Sequence, residues 1–372
     1  MSTTPPPERL LLTRVSAPGK LILMGEHAVV YGRPALAAAT SRRLRVDLYR
    51  GCEAGVEVDL PELGHCGHVS WPEIMDYASR MRHRWERYDT SPTPEAFARL
   101  QDDRADRLVL IALAEAVSAL GEVPDTQDHP LGALRLQVSS AVPVGTGFGS
   151  SAAAAVAVVA AICAASGRAE RWSLIGPIAR EVERRQHGAP SGVDGATVFH
   201  GGVLRARRAG EDLSIEPLAA HPDTLRRLRV FDTGRSAEPT GTVVAAVRAQ
   251  RDRSPNHFEE SLNDAEFAVL AFQDAVTGSS ETIDAILAIR DAQRYLESLG
   301  VVPTPVCEVV RAIEAVGGGA KISGSGSLAG PGAGCLMVLL PEDIESLPEP
   351  LAALPEHDLS LGVEGVRVEA VA

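Results

Sequence analysis

The stretch "VPVGTGFGSSAAAAVAVVAAICAASG", residues 142–167, decides the fold. Gly145, Gly147 and Gly149 fall at alternate positions, where the missing Cβ lets the backbone take positive φ and turn its N–H groups inward. Ser150 and Ser151 follow as caps of a helix whose free N–H groups and dipole favour an anion. From Ser150 to Gly167 the chain is apolar on every side, which predicts a helix buried within the protein. A membrane span is the competing reading; the segment is too short and alanine-rich for one, and it opens on glycine and serine without flanking anchors. The loop is not a Walker A sequence, because no Gly-Lys-Ser/Thr follows its spacer. Nor is it a dinucleotide fingerprint, since it reads GxGxG rather than GxGxxG and no early βαβ unit surrounds it.

Outward from this segment, strand and helix signals alternate, which indicates α/β or α+β layers. "LILM" (21–24), "RLRVDLYR" (43–50) and "LRLQVSSAVP" (134–143) read as strands, and residues 106–121 as a helix stopped by Gly121. Residues 171–188 set Ile175, Ile178 and Val182 on one helical stripe that ends at Gly188. A strand over 228–233 opens a second half, with helices near 240–252, 259–275, 280–298 and 304–316 and two strands flanking another glycine-rich loop, "KISGSGSLAGPGAGCLMVLL" (321–340). The polar residues 51–105 read as an insertion or long excursion. A chain of 372 residues exceeds the usual size of one core. The expected division is a disordered lead over 1–14, an N-terminal domain over 15–220 and a C-terminal domain over 221–372.

A net charge of -13 argues against nucleic acid or an anionic membrane as partner, so any phosphate site must be local. The opening residues carry no charged and apolar targeting pattern, and the chain reads as cytoplasmic. Five dispersed cysteines without CxxC spacing favour neither disulfides nor zinc, and "HCGH" (65–68) reads as a surface loop.

Of the 36 basic residues only Lys20 and Lys321 are lysines, and both adjoin glycine-rich segments. A retained lysine is a candidate for a task the larger planar guanidinium cannot perform. Glu183, near a helix end, and Asp194, in a Ser-Gly-Val-Asp turn, are far enough apart to serve two ends of one site: one could hold Mg²⁺ while the other accepts a hydroxyl proton. Against this, Glu183 sits among Arg180, Glu181, Arg184 and Arg185 as on a solvated helix face, and an aspartate before glycine is often a turn former. Glu26 and His27, in "GEHAVVYG" (25–32), are either placed for chemistry or form a polar corner between strands.

Three segments taken together, "APGKLILMGEHAVVYG" (17–32), "VPVGTGFGSSAA" (142–153) and "KISGSGSLAGPGAGC" (321–335), resemble in content and order the motifs of the galactokinase, homoserine kinase, mevalonate kinase and phosphomevalonate kinase (GHMP) superfamily. "GEHAVVYGRPALA" and "HGAPSGVDGATVFHGG" resemble the mevalonate kinase branch. The resemblance implies a two-domain α/β kinase with an N-terminal domain like ribosomal protein S5 domain 2 and a ferredoxin-like C-terminal domain. Its implied reaction is transfer of the ATP γ-phosphoryl group to the C5 hydroxyl of mevalonate. Carried onto matching positions, Asp194 is the proton acceptor and Lys20 orients it and favours its ionised form. Ser151 and Glu183 resemble the Mg²⁺ ligands; Gly145, Thr146, Gly147, Phe148, Gly149, Ser150 and Ser151 cradle the triphosphate. Glu26, His27 and Thr240 resemble residues on the substrate side of the pocket. The third motif departs from the pattern by the widening "SLAGP", and Gly241 stands where the family has a lysine. Another acceptor alcohol, such as phosphomevalonate, homoserine or a sugar, and a non-catalytic nucleotide-binding homologue remain as rival readings, and a homodimer stays open.

Overall fold

Two long antiparallel strands, β1 (Leu11–Met24) and β2 (Pro34–Arg50), form the spine of the computed structural model, which describes residues 10–370 except 92, 125, 168, 189, 211 and 345. From Ser16 to Met24 β1 is buried without alternation, as a strand covered on both faces must be. Its pairing with β2 shifts register between Pro18 and Gly19, where proline has no N–H to give the ladder. Of the expected disordered lead, residues 1–9 lie outside the described residues, while Leu11 and Thr13 already pair with Tyr49 and Leu48, so the order begins earlier than expected.

Residues 51–105 are not an excursion. They supply β3 (Gly55–Leu60), β4 (His65–Val69), α1 (Trp71–Thr90) and α2 (Pro94–Ala98). The start of α1 is set by a capping box between Ser70 and Glu73, and Trp71, Ile74, Tyr77, Ala78 and Met81 form its buried stripe. The "HCGH" segment is β4 itself, antiparallel to β3, rather than a loop. Alternation along the strand puts His65 on the face opposite Cys66 and His68, so the three cannot converge on one metal.

The chain continues through α3 (Arg107–Leu120), β5 (Ala133–Ser140), α4 (Ser150–Ala165), α5 (Ile175–His187), α6 (Val193–His200) and a hairpin the sequence did not announce, β6 (Val203–Ala209) with β7 (Asp212–Leu218). There follow α7 (Pro222–Arg227), β8 (Arg229–Asp232), α8 (Thr240–Arg253), α9 (Pro255–Val276), α10 (Thr282–Ser298), α11 (Thr304–Ala315), β9 (Gly319–Ser323), β10 (Cys335–Leu339), α12 (Glu349–Ala352) and β11 (Arg367–Val368). The first sheet has the order β11-β1-β2-β5-β3-β4, with β6 joined to β2 and β7 to β6; the second is β8-β10-β9.

Helix α4 lies across β1 and β2 and packs between α3 and α5. Residues Ala152, Ala153 and Ala155 through Cys163 are all buried, as its uniform apolarity predicts. Each buried valine or isoleucine there contributes about 1.5–3 kcal/mol, so this helix anchors whatever its amino end carries. In the second half, α10 and α11 cover β9, giving helices on one side of an antiparallel sheet. The division at 220/221 is not clean. Leu361 bridges Thr40 and β11 pairs with β1, so the end of the expected C-terminal domain belongs to the first sheet. Among the described residues no helix is long and apolar enough to cross a membrane.

Candidate active site

Lys20 lies in mid-β1 opposite Ala39, and its backbone N–H donates to the carbonyl of Phe148 at 2.9 Å, tying the strand to the first glycine loop. Its side chain runs over Gly149, where an added Cβ would stand 2.8 Å from Lys20 Cγ. The ammonium thereby reaches the carboxylate of Asp194, Nζ to Oδ2 3.1 Å. Asp194 is in the first turn of α6, not in a free turn, so the amino end of that helix adds its favourable field. The lysine side chain is 5% exposed and the aspartate 38%: the cation is held behind, and the carboxylate faces the opening.

Glu183 does not sit on a solvated face. It is buried, with its carboxyl against the backbone of Gly195, where a Cβ would meet Oε2 at 3.3 Å. Oε2 has no hydrogen-bond partner. Burial first, and then the charge of Asp194, push the Glu183 carboxyl up to about 8, while Lys20 and Arg180 pull it down. A buried carboxylate with an idle oxygen beside a second carboxylate is suited to a cation. Ser151, in the first turn of α4, shares a hydrogen bond with Nε2 of His187 at 3.1 Å. His187 is open to solvent at the end of α5, yet enough protein surrounds it to lower its pKa through desolvation, which Asp194 opposes.

In the first glycine loop φ is +80° at Gly145, +92° at Gly147 and +69° at Gly149, the conformation expected of the alternate glycines. Gly149 itself is the N-cap of α4, so Ser150 and Ser151 lie inside its first turn rather than capping it. Phe148 is wholly buried with its ring edge-on to His357, and only its backbone can serve a ligand. Thr146 is also buried; its carbonyl accepts the Cys335 thiol at 3.0 Å.

Glu26 and His27 are not an idle corner. The Glu26 carboxylate forms a buried ion pair with Lys321, the second of the two lysines. Nε2 of His27 is 3.0 Å from the carbonyl of Ser325, and burial lowers its pKa. Thr240 opens α8, and Ser325 Oγ donates to its hydroxyl at 3.4 Å. Lys20, Ser151, Glu183 and Asp194 thus gather in one group, whereas Glu26, His27 and Thr240 gather on the second glycine loop. His187 and Lys321 were not assigned from sequence. Lysine scarcity marked Lys321 as a candidate but gave it no role or partner; His187 gave no signal beyond its place before Gly188. No group of three or more His, Cys, Asp or Glu side chains suited to a metal occurs among the described residues.

Residues 108–202 match the model of the GHMP kinases N-terminal domain. The chain is 30% identical to the mevalonate kinase of Mus musculus over 89% of this chain and 87% of that one. With the mevalonate kinase of Thermococcus gammatolerans it shares 28% identity over 96% and 98% of the two chains. The fold matches the crystal structure of the Methanococcus jannaschii mevalonate kinase with a TM-score of 0.72 at 18% identity, covering 96% of this chain and 99% of that one. The chain belongs to the GHMP kinases and, within them, to the mevalonate kinase family.

Proposed function

We propose that the protein transfers the γ-phosphoryl group of ATP to the C5 hydroxyl of mevalonate. The observation that carries the reading is the Lys20–Asp194 pair, with its buried cation and open carboxylate, beside the amino end of α4. Phosphoryl transfer asks the protein for positioning and charge compensation more than for covalent chemistry. The loop from Gly145 to Ser151, with three glycines at positive φ and the amino end of α4, would turn backbone N–H groups toward the phosphates. Asp194 accepts the hydroxyl proton as the oxygen attacks, and Lys20 fixes that carboxylate and offsets the charge gathering between alcohol and phosphate. Thr240 and His27 stand on the side of the second loop, from which the remainder of the alcohol would be held.

Magnesium fits the donor set. Ser151 and Glu183 would hold it, and the idle Oε2 of Glu183 is the observation in its favour. When bound it offsets the negative charge of the phosphates. The functional halves we assign are 15–220, extended back to Leu11 by β1, and 221–372, with β11 returned to the first. An aqueous, ATP-containing compartment such as the cytoplasm suits this reading.

The test is ADP release coupled to NADH oxidation, over mevalonate, phosphomevalonate, homoserine and galactose. Mevalonate should exceed each of the others by at least about 100-fold in kcat/KM, the discrimination available when buried polar groups must find partners. A higher value for any other alcohol would overturn the substrate assignment. ATP binding with no ADP from any of the four would return the non-catalytic reading.

A further inference from the structure

Strand β1 and strand β9 end side by side, and three contacts fasten the end of β1 and the turn after it to β9 and the loop that follows. Ser323 Oγ donates to the carbonyl of Ile22 at 2.8 Å, Lys321 pairs with Glu26, and the His27 ring meets the Ser325 carbonyl at 3.0 Å. The turn is shaped for the purpose. Gly25 has φ +90°, and His27, at φ +57°, is the one non-glycine residue with positive φ among the described residues.

The loop that begins at Gly324 then leans on the first glycine loop. A Cβ at Gly147 would stand 3.1 Å from the Ser323 carbonyl, and one at Gly334 3.2 Å from that of Thr146. At the far end of the loop, Cys335 donates its thiol to Thr146. The two loops therefore form one assembly whose spacing depends on where β9 is held relative to β1.

Glu26 is 6% exposed and Lys321 fully buried. A buried ion pair is a poor source of stability, since apolar residues of similar size usually serve as well, and its value lies in fixing one arrangement. In a chain whose only other lysine is Lys20, this site keeps the slender point charge that fits beneath a glycine loop. With its charge spent on Glu26, the ammonium has little left for a phosphate.

We infer that Glu26 and Lys321 are positioning residues: a buried clasp between the two halves that sets the second glycine loop against the first and so fixes the slot for the nucleotide phosphates, without touching the alcohol. The inference rests on the ATP reading above and departs from a substrate-lining role for Glu26.

The experiment compares wild type, Glu26→Gln, Lys321→Met and the double variant. Affinity for Mg-AMPPNP is measured by calorimetry without any alcohol, alongside KM for ATP and for mevalonate and a thermal melt. Each single variant should weaken nucleotide binding at least tenfold and leave KM for mevalonate within twofold. The double variant should lose no more than the worse single one, because the second substitution removes the stranded charge. A raised KM for mevalonate with unchanged nucleotide affinity would overturn the inference, as would losses that multiply in the double variant. Should Lys321→Met fail to fold, the near-isosteric Glu26→Gln carries the same comparison of nucleotide affinity with KM for mevalonate. The calorimetric arm needs no acceptor, so a wrong substrate assignment and a wrong clasp give different results.

Discussion

Lys20 is folded directly over Gly149: a Cβ at residue 149 would lie 2.8 Å from Lys20 Cγ and 2.9 Å from Cε. The missing side chain at the cap of α4 is therefore what opens the lysine's route to Asp194. Gly149→Ala should push the lysine aside and also burden a residue at φ +69°. Turnover is expected to fall about 100-fold, with a stability loss of about 1–3 kcal/mol. Steady-state kinetics with a denaturant melt check this; wild-type turnover in a folded variant would show that the lysine does not need this path.

Glu183 gives a pH dependence with a definite sign. Its ordinary value of 4.5 is raised to about 8 in the folded protein, chiefly by burial. Between these values the folded state holds a proton that the unfolded chain has released, so stability is highest toward pH 4.5 and declines as pH rises to about 8. The melting temperature of metal-free wild type should fall across that window relative to Glu183→Gln, and millimolar Mg²⁺ near pH 8 should raise it in wild type more than in the variant. Parallel pH profiles, or equal Mg²⁺ shifts in both proteins, would contradict the role given to this carboxyl.

The cysteines report on the core. Cys52 and Cys66 are exposed, whereas burial raises the Cys163 thiol to about 11 and that of Cys335 to about 12. Since the thiolate is the reactive form, Ellman's reagent at pH 8 should modify the two exposed thiols quickly and reach Cys163 and Cys335 only after denaturation. Fast modification of Cys335 in the native protein would mean that the contact between the two glycine loops is open.

Helix α4 also offers a direct measure of anchoring. Ile162→Ala removes a fully buried side chain facing a packed interior and should cost about 2–5 kcal/mol, with nucleotide affinity lost only as the fold is lost. A cost below about 1 kcal/mol would place Ile162 outside the close-packed core.

The legible parts of this molecule were those where one local rule dominates. The apolar run after Ser151 reads as a buried helix and the alternate glycines before it as a loop of positive φ, so α4 and its loop were readable except for the cap, which is Gly149 rather than the serines. Elsewhere competing signals misled. Pro18 and Gly19 look like a break, yet β1 absorbs them as a register shift because β2 runs past on one side. The polar surface of residues 51–105 hid the stripe from Trp71 to Met81, although Ser70 and Glu73 were a readable capping box. In β6 and β7 arginines and acids face solvent and pair across the strands, as Arg205 does with Glu216, which dilutes the apolar alternation of a strand.

For the site, the lysine count carried further than expected, since each lysine is paired with a carboxylate. What it could not supply was which carboxylate each one meets, because those pairs join residues 174 and 295 positions apart in the chain. The burial of Glu183 was equally out of reach: its neighbours in sequence are charged, and Gly195 of α6, which lies against its carboxyl, is brought there by the fold.

The most direct test of the account is Asp194→Asn, measured for turnover with mevalonate and for Mg-AMPPNP affinity in the same preparation. The account predicts that kcat falls by about 100- to 10,000-fold, the usual worth of a positioned proton acceptor, while nucleotide affinity stays within about threefold. Turnover close to that of wild type would contradict the assignment of Asp194 as the group that takes the hydroxyl proton.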